Sequence, residues 1–125
     1  LIRNSLIQSL KNRGGGNSFY QHPLARISRF SKIAEQGVLI GSGVELQTDV
    51  IVYNNVVIRS DATICHNTII KNDVFIGPKA LIGAYTDIGE YAYIGQGAIL
   101  ISGKAKSLGA NCIIGAGSIV TNPVP

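Results

Sequence analysis

Tryptophan and methionine are absent from the 125-residue chain, and aromatic residues amount to only 6%. Charged side chains are scarce too, at 14%, against 46% for the apolar set. So little charge with so much apolar character excludes a disordered chain. With few large rings to fill it, the core must be aliphatic, and Ile, Leu and Val number 37. No apolar stretch approaches the ~20 residues that span a bilayer. Residues 1–10 contain Arg3 and several polar side chains and do not read as a secretory signal. Two cysteines, Cys65 and Cys112, cannot make a disulfide framework. A cytoplasmic protein without a membrane partner is therefore expected. The net charge of +4 is mild, and no run of Lys or Arg concentrates it. That speaks against nucleic acid and is compatible with an anionic small molecule. The first residue is not Met, so a piece of a longer chain is expected.

What the sequence has instead is a repeat. Stepping by six from Ile40 gives Leu46, Val52, Ile58, Ile64, Ile70, Ile76, Ile82, Ile88, Ile94 and Leu100. If Ile, Leu and Val fill ~30% of positions, such a run has a chance on the order of 10⁻⁵ over all registers. The ladder resumes at Leu108, Ile114 and Val120, so two extra residues fall within 102–107. Upstream, Ile27 and Ile33 stand one residue out of frame. A second ladder runs four residues after each anchor and is small: Val44, Val50, Val56, Ala62, Thr68, Val74, Ala80, Thr86, Ala92 and Ala98. A small residue two before a large one is strand alternation, both pointing inward. Glycine often follows the anchor, as at Gly77, Gly83 and Gly95. Anchors every six residues would drift around an α-helix. They suit a chain that bends at every sixth residue, so that three hexapeptides close one triangular coil of 18. The expected fold is an all-β parallel β-helix, coils stacked at ~4.8 Å.

This ladder resembles the hexapeptide-repeat acyltransferases, and the resemblance implies a left-handed β-helix; periodicity alone gives no handedness. Three stretches carry a closer likeness over about residues 17–125. They are the His-Pro within residues 20–23, residues 64–67, and the closing IIGAGSIVTNPVP. They look like the NeuD/PglD-type sugar O- or N-acetyltransferases. That likeness implies transfer of acetyl from acetyl-CoA to an amino or hydroxyl group of a sugar, often nucleotide-linked. It also implies a homotrimer and a small sugar-nucleotide-binding domain ahead of the β-helix. Residues 1–16 fit the end of such a domain: Ile2, Leu6 and Leu10 share one helical face, and Gly14, Gly15 and Gly16 would end the helix. A helix that simply caps the first coil is the alternative.

Chemistry is expected at a corner. His22 precedes Pro23 before the first coil and reads as a residue without a chemical role. His66 lies two after anchor Ile64, at a corner and away from the core, and the resemblance places it on the family's catalytic histidine. A base of ordinary pKa near 6.5 can take the proton as an amine or hydroxyl attacks a thioester. Asn67 follows, where family members often carry Asp or Glu; it can orient the imidazole but brings no charge. Adding 18 to 66 gives Ala84; the resemblance implies that the main-chain N–H there meets the acetyl end of the co-substrate, which makes it the candidate donor to the oxyanion. Adding 18 again gives Ser102, where the insertion begins. Lys104 and Lys106 on that loop are placed to meet CoA phosphates, with a merely solvated loop as the alternative, and the count puts Lys106 in a small inward position. The resemblance adds Ala116 to the co-substrate contacts.

Other readings are weaker or remain open. Cys65 and His66 are strand neighbours pointing opposite ways, which disfavours a Cys–His nucleophile. Cys65 and Cys112 lie more than two coils apart, beyond disulfide reach. No metal is expected: the γ-type carbonic anhydrases share this helix but need three histidines, and two are present. A non-catalytic β-helix scaffold remains a rival function, as does an acyltransferase with another small acceptor. Outward residues Leu39, Val57, Phe75, Tyr93 and Ile113 form an apolar stripe that is expected to join subunits, the alternative being that the N-terminal helix covers it.

Overall fold

The structure is a computed structural model that describes residues 20–125. The helix expected over residues 1–16 lies outside them. Among the described residues there is no helix; 17 strands of two residues each follow one another from Tyr20–Gln21 to Ile119–Val120. Every third strand joins the same sheet, and all pairs are parallel. Sheet A stacks Tyr20–Gln21, Leu39–Ile40, Val57–Ile58, Phe75–Ile76, Tyr93–Ile94 and Ile113–Ile114. Sheet B stacks Arg26–Ile27, Glu45–Leu46, Thr63–Ile64, Leu81–Ile82, Ile99–Leu100 and Ile119–Val120. Sheet C stacks Lys32–Ile33, Ile51–Val52, Ile69–Ile70, Asp87–Ile88 and Ser107–Leu108. Three parallel sheets wound as one coil are the solenoid that the hexapeptide ladder predicts.

The period does this because each hexapeptide offers two inward side chains. The anchors from Ile40 to Leu100 are all buried, as are the small residues four places on. Burying one such aliphatic side chain is worth about 1.5–3 kcal/mol, which outweighs the cost of a turn after every two-residue strand. That turn uses a residue with positive φ, between 58° and 64° at Asp49, Asn55, Asp61, Asn67, Asp73, Lys79, Tyr85, Tyr91, Lys106 and Asn111. Six of these ten are Asn or Asp, whose short polar side chains tolerate the left-handed region best.

Both frame shifts appear where the ladder breaks. Tyr20 pairs with Leu39, one residue more than the 18 that separate Phe75 from Tyr93. Asp87 pairs with Ser107, two more. The structure corrects one expectation inside this insertion. Ala105, not Lys106, fills the inward position, and it is fully buried while Lys106 is exposed. Lys106 keeps the backbone slot, since its carbonyl accepts the Asp87 N–H at 2.8 Å. Its φ of 58° instead goes with a lysine side chain in solvent, and the extra residues let Ala105 bend inward.

Coils approach most closely where a corner residue has no side chain. A Cβ at Gly83 would overlap Ser102 N and Leu100 O of the coil above, both backbone atoms that cannot swing aside. Gly97 has φ +69° with nothing within 4 Å of the same position. Gly83→Ala is therefore expected to cost about 1–3 kcal/mol, the usual price of forced overpacking. Gly97→Asn should cost well under ~1 kcal/mol, because Asn accepts the left-handed region. Denaturant midpoints at constant m-value check the pair; equal losses would contradict the packing argument.

Candidate active site

The corner between sheets B and C carries the chemistry-bearing residues. Registers Leu46 to Ile64, Ile64 to Ile82 and Ile82 to Leu100 stack these corners coil on coil. His66 therefore lies under Ala84, and Ala84 under Ser102, as stepping by 18 places them.

His66 is half-buried and held from three directions. Its backbone N–H donates to Gln47 Oε1 of the coil below at 3.0 Å. Its Nδ1 lies 2.9 Å from Asn67 Oδ1. An amide oxygen can only accept, so this contact is a hydrogen bond in the tautomer that carries its hydrogen on Nδ1. The Tyr85 ring meets the imidazole edge to face, centroids 5.3 Å apart and planes at 87°. Tyr85 is also tied to the same residue through its backbone N–H, which donates to His66 O at 3.2 Å. Its own ring is exposed.

One coil up, the Ala84 N–H donates to Ser102 Oγ at 2.8 Å. That hydroxyl accepts one hydrogen bond and still has its own hydrogen to give. Lys104 and Lys106 follow on the insertion, both exposed, on the same edge. Ala116 is not brought to this group. It follows Ile113–Ile114 of sheet A and stacks over Gln96 on the corner between sheets A and B.

Cys65 precedes His66 but is no nucleophile. Burial first, and the Glu45 carboxylate second, push its thiol above the ordinary range, so the thiolate is scarce near neutrality. Burial raises Cys112 as well, and both cysteines are free. His22 uses Nδ1 to accept the Leu24 N–H at 3.1 Å, a turn contact in the first coil. Among the described residues, no group of three or more His, Cys, Asp or Glu is placed to hold a metal, and no helix is long and apolar enough to cross a membrane. A cavity of about 290 Å³ lies on the corner between sheets C and A, lined by Lys71, Asp87, Glu90 and Ser107 among others, with Lys71 and Asp87 ion-paired at 3.6 Å. It is a different corner from that of His66.

Sequence reasoning missed Gln47, Tyr85 and the two threonines behind this corner. A signal for Tyr85 was present: a bulky ring in a corner slot that usually takes Asn or Asp. A second outward apolar row, Leu81, Ile99 and Ile119, lies on sheet B. The sheet A stripe is itself uneven. Val57 is fully buried, whereas Tyr93 and Ile113 are 47% and 77% exposed.

The sequence family described as bacterial transferase hexapeptide (six repeats) matches residues 67–102. No curated protein sequence matches the chain. Among solved structures it is similar to a variant of GDP-perosamine N-acetyltransferase from Caulobacter crescentus in complex with CoA and GDP-perosamine. The identity is 29% and the TM-score 0.85, over 100% of this chain and 60% of that one. The acetyltransferase domain of PglB from Neisseria gonorrhoeae, solved also with acetyl coenzyme A, superposes at TM-score 0.83 to 0.84 with 24% identity, over 98% of this chain and 60% of that one. WeeI from Acinetobacter baumannii does so at 0.78 with 24% identity, over 99% and 59%. The last two speak to the fold alone. The chain spans about 60% of the length of the perosamine enzyme. In sequence this chain carries the bacterial transferase hexapeptide over residues 67–102, and in its three-sheet coil it is similar to the perosamine N-acetyltransferase.

Proposed function

We propose that the protein transfers acetyl from acetyl-CoA to an amino or hydroxyl group of a nucleotide-linked sugar, with His66 as general base. The observation that carries this reading is the contact of His66 Nδ1 with Asn67 Oδ1 at a corner free of the core, which leaves Nε2 as the ring nitrogen to take a proton. The attacking group gives its proton to Nε2 as it adds to the thioester carbonyl. His66 then returns the proton to the leaving CoA sulfur. Charge building on the carbonyl oxygen is met by the Ala84 N–H, directly or through the Ser102 hydroxyl bound to it. Lys104 and Lys106 lie two coils above the base, where the phosphates of the co-substrate would end. The likeness to an enzyme solved with CoA and GDP-perosamine supports both substrates. In this reading residues 17–125 form the transferase domain, and a preceding domain selects the sugar. The reaction, in this reading, takes place in the cytoplasm.

Acetyl transfer by the full-length protein to a panel of nucleotide-linked amino sugars tests this. His66→Ala loses no buried core contact and should fold, yet lower kcat by ~10²–10⁴-fold with little change in KM for acetyl-CoA. Lys104→Ala with Lys106→Ala should do the reverse, raising KM for acetyl-CoA and leaving kcat. Asn67→Asp places a negative charge against Nδ1, favours the imidazolium, and should move the acid limb of the rate profile to higher pH. More than about a tenth of parental turnover in His66→Ala would remove the base assignment.

The assembly we propose is a homotrimer joined through sheet A. Tyr93 stacks on Phe75 with centroids 5.0 Å apart and planes within 9°, and Ile113 continues the row. A surface this apolar needs a cover. Light scattering of Phe75→Arg, Tyr93→Arg should show monomers where the parent is trimeric. A monomeric parent, or a trimeric variant, would contradict it.

A further inference from the structure

The small inward ladder is Val or Ala at most positions. Thr68 and Thr86 break it, and they are the only buried polar side chains among the described residues, at 0% and 1% exposure. Their hydroxyls share one acceptor. Thr68 Oγ1 donates to Gly83 O at 3.1 Å, and Thr86 Oγ1 donates to the same oxygen at 2.7 Å. At the equivalent places after Gly77 and Gly95, the corner carbonyl accepts only the N–H three residues on, from Ala80 and Ala98. The Gly83 carbonyl is thus pulled inward by two side chains from two successive coils.

That carbonyl and the Ala84 N–H belong to one peptide unit. A trans peptide is planar, and its C=O and N–H point in opposite directions. Pinning the oxygen toward the core fixes the N–H away from it, on the His66 edge, where it donates to Ser102 Oγ. We propose that Thr68 and Thr86 are positioning residues: they lock the Gly83–Ala84 peptide so that its N–H is held ready for the oxyanion of the acyl-transfer step. The inference rests on the reading of Ala84 as that donor. It explains why two hydroxyls occupy slots where an aliphatic side chain of the same shape would need no partner. It also explains why they sit behind this corner. A preorganised donor acts only where charge develops, so its effect belongs in kcat rather than in binding.

The test uses the full-length protein carrying Thr68→Val with Thr86→Val, and separately Thr68→Ser with Thr86→Ser. Valine keeps the shape and removes both donors; serine keeps the donors. Thr86→Val alone serves if the double variant does not fold. Expected for the valine pair are a kcat lowered about 10-fold or more, an unchanged KM for acetyl-CoA, and a displaced, faster-exchanging Ala84 amide signal without any ligand. The serine pair should restore turnover to near the parental value. A folded valine pair with kcat within about twofold of the parent, or with an unmoved Ala84 amide, overturns the positioning role. So does a serine pair as slow as the valine pair. A parent that transfers no acetyl group removes the underlying function as well, an outcome distinct from an active parent whose valine pair is equally active.

Discussion

A strand of two residues leaves this chain no slack. Each coil turns three times, and most turns place a non-glycine residue in the left-handed region, at a cost of roughly 1–2 kcal/mol for an ordinary side chain. Each turn is followed by one anchor and one small residue entering the core. The balance is favourable only when that anchor is fully buried, and burial requires a coil above and a coil below. This is why the ladder runs unbroken from Ile40 to Leu100. It is also why the ends are weaker: Ile27 and Ile33 are only partly buried, and Val120 remains 9% exposed. As in other stacked-repeat proteins, stability resides in contacts between neighbouring repeats rather than in any single one.

The same constraint decides what could be read in advance. Inward positions are set by a count, and the count survives the one-residue and two-residue shifts because the anchors resume on either side. Inside the shift itself it fails. Nothing in the hexapeptide period says whether Ala105 or Lys106 turns inward; that depends on the φ of the extra residues and on the reluctance of a lysine to be buried. Outward positions are legible as rows, but what lies against them is not. Leu39 and Val57 occupy equivalent places on sheet A, yet one is half-buried and the other fully buried.

The site divides along similar lines. That His66, Ala84 and Ser102 share an edge follows from stepping by 18, since the strands leave no freedom to slip. The hydrogen bonds that give these residues their chemistry do not follow from it. Gln47 reaches up from a corner one coil below, Tyr85 reaches back from one coil above, and neither reach is contained in the period. Ala116, expected at the co-substrate, winds onto the corner between sheets A and B rather than onto the stack of His66, Ala84 and Ser102.

The proposed base, His66, and the proposed donor, the Ala84 N–H, are fixed by different means. The base sits on a side chain with rotatable bonds, so a neighbouring amide and an aromatic ring must hold it from outside, where both remain within reach of solvent. The donor sits on the backbone, and it is held from inside by groups that solvent cannot reach. Hydrogen bonds buried in a medium of low polarity are strong and costly to break, so the donor half of the site is the more rigid. The imidazole, its tyrosine and the exposed hydroxyl of Ser102 form the adjustable half. A fold whose interior permits almost no variation thus confines adaptation to its corners, and a sugar acceptor would be met there by side chains rather than by the coil.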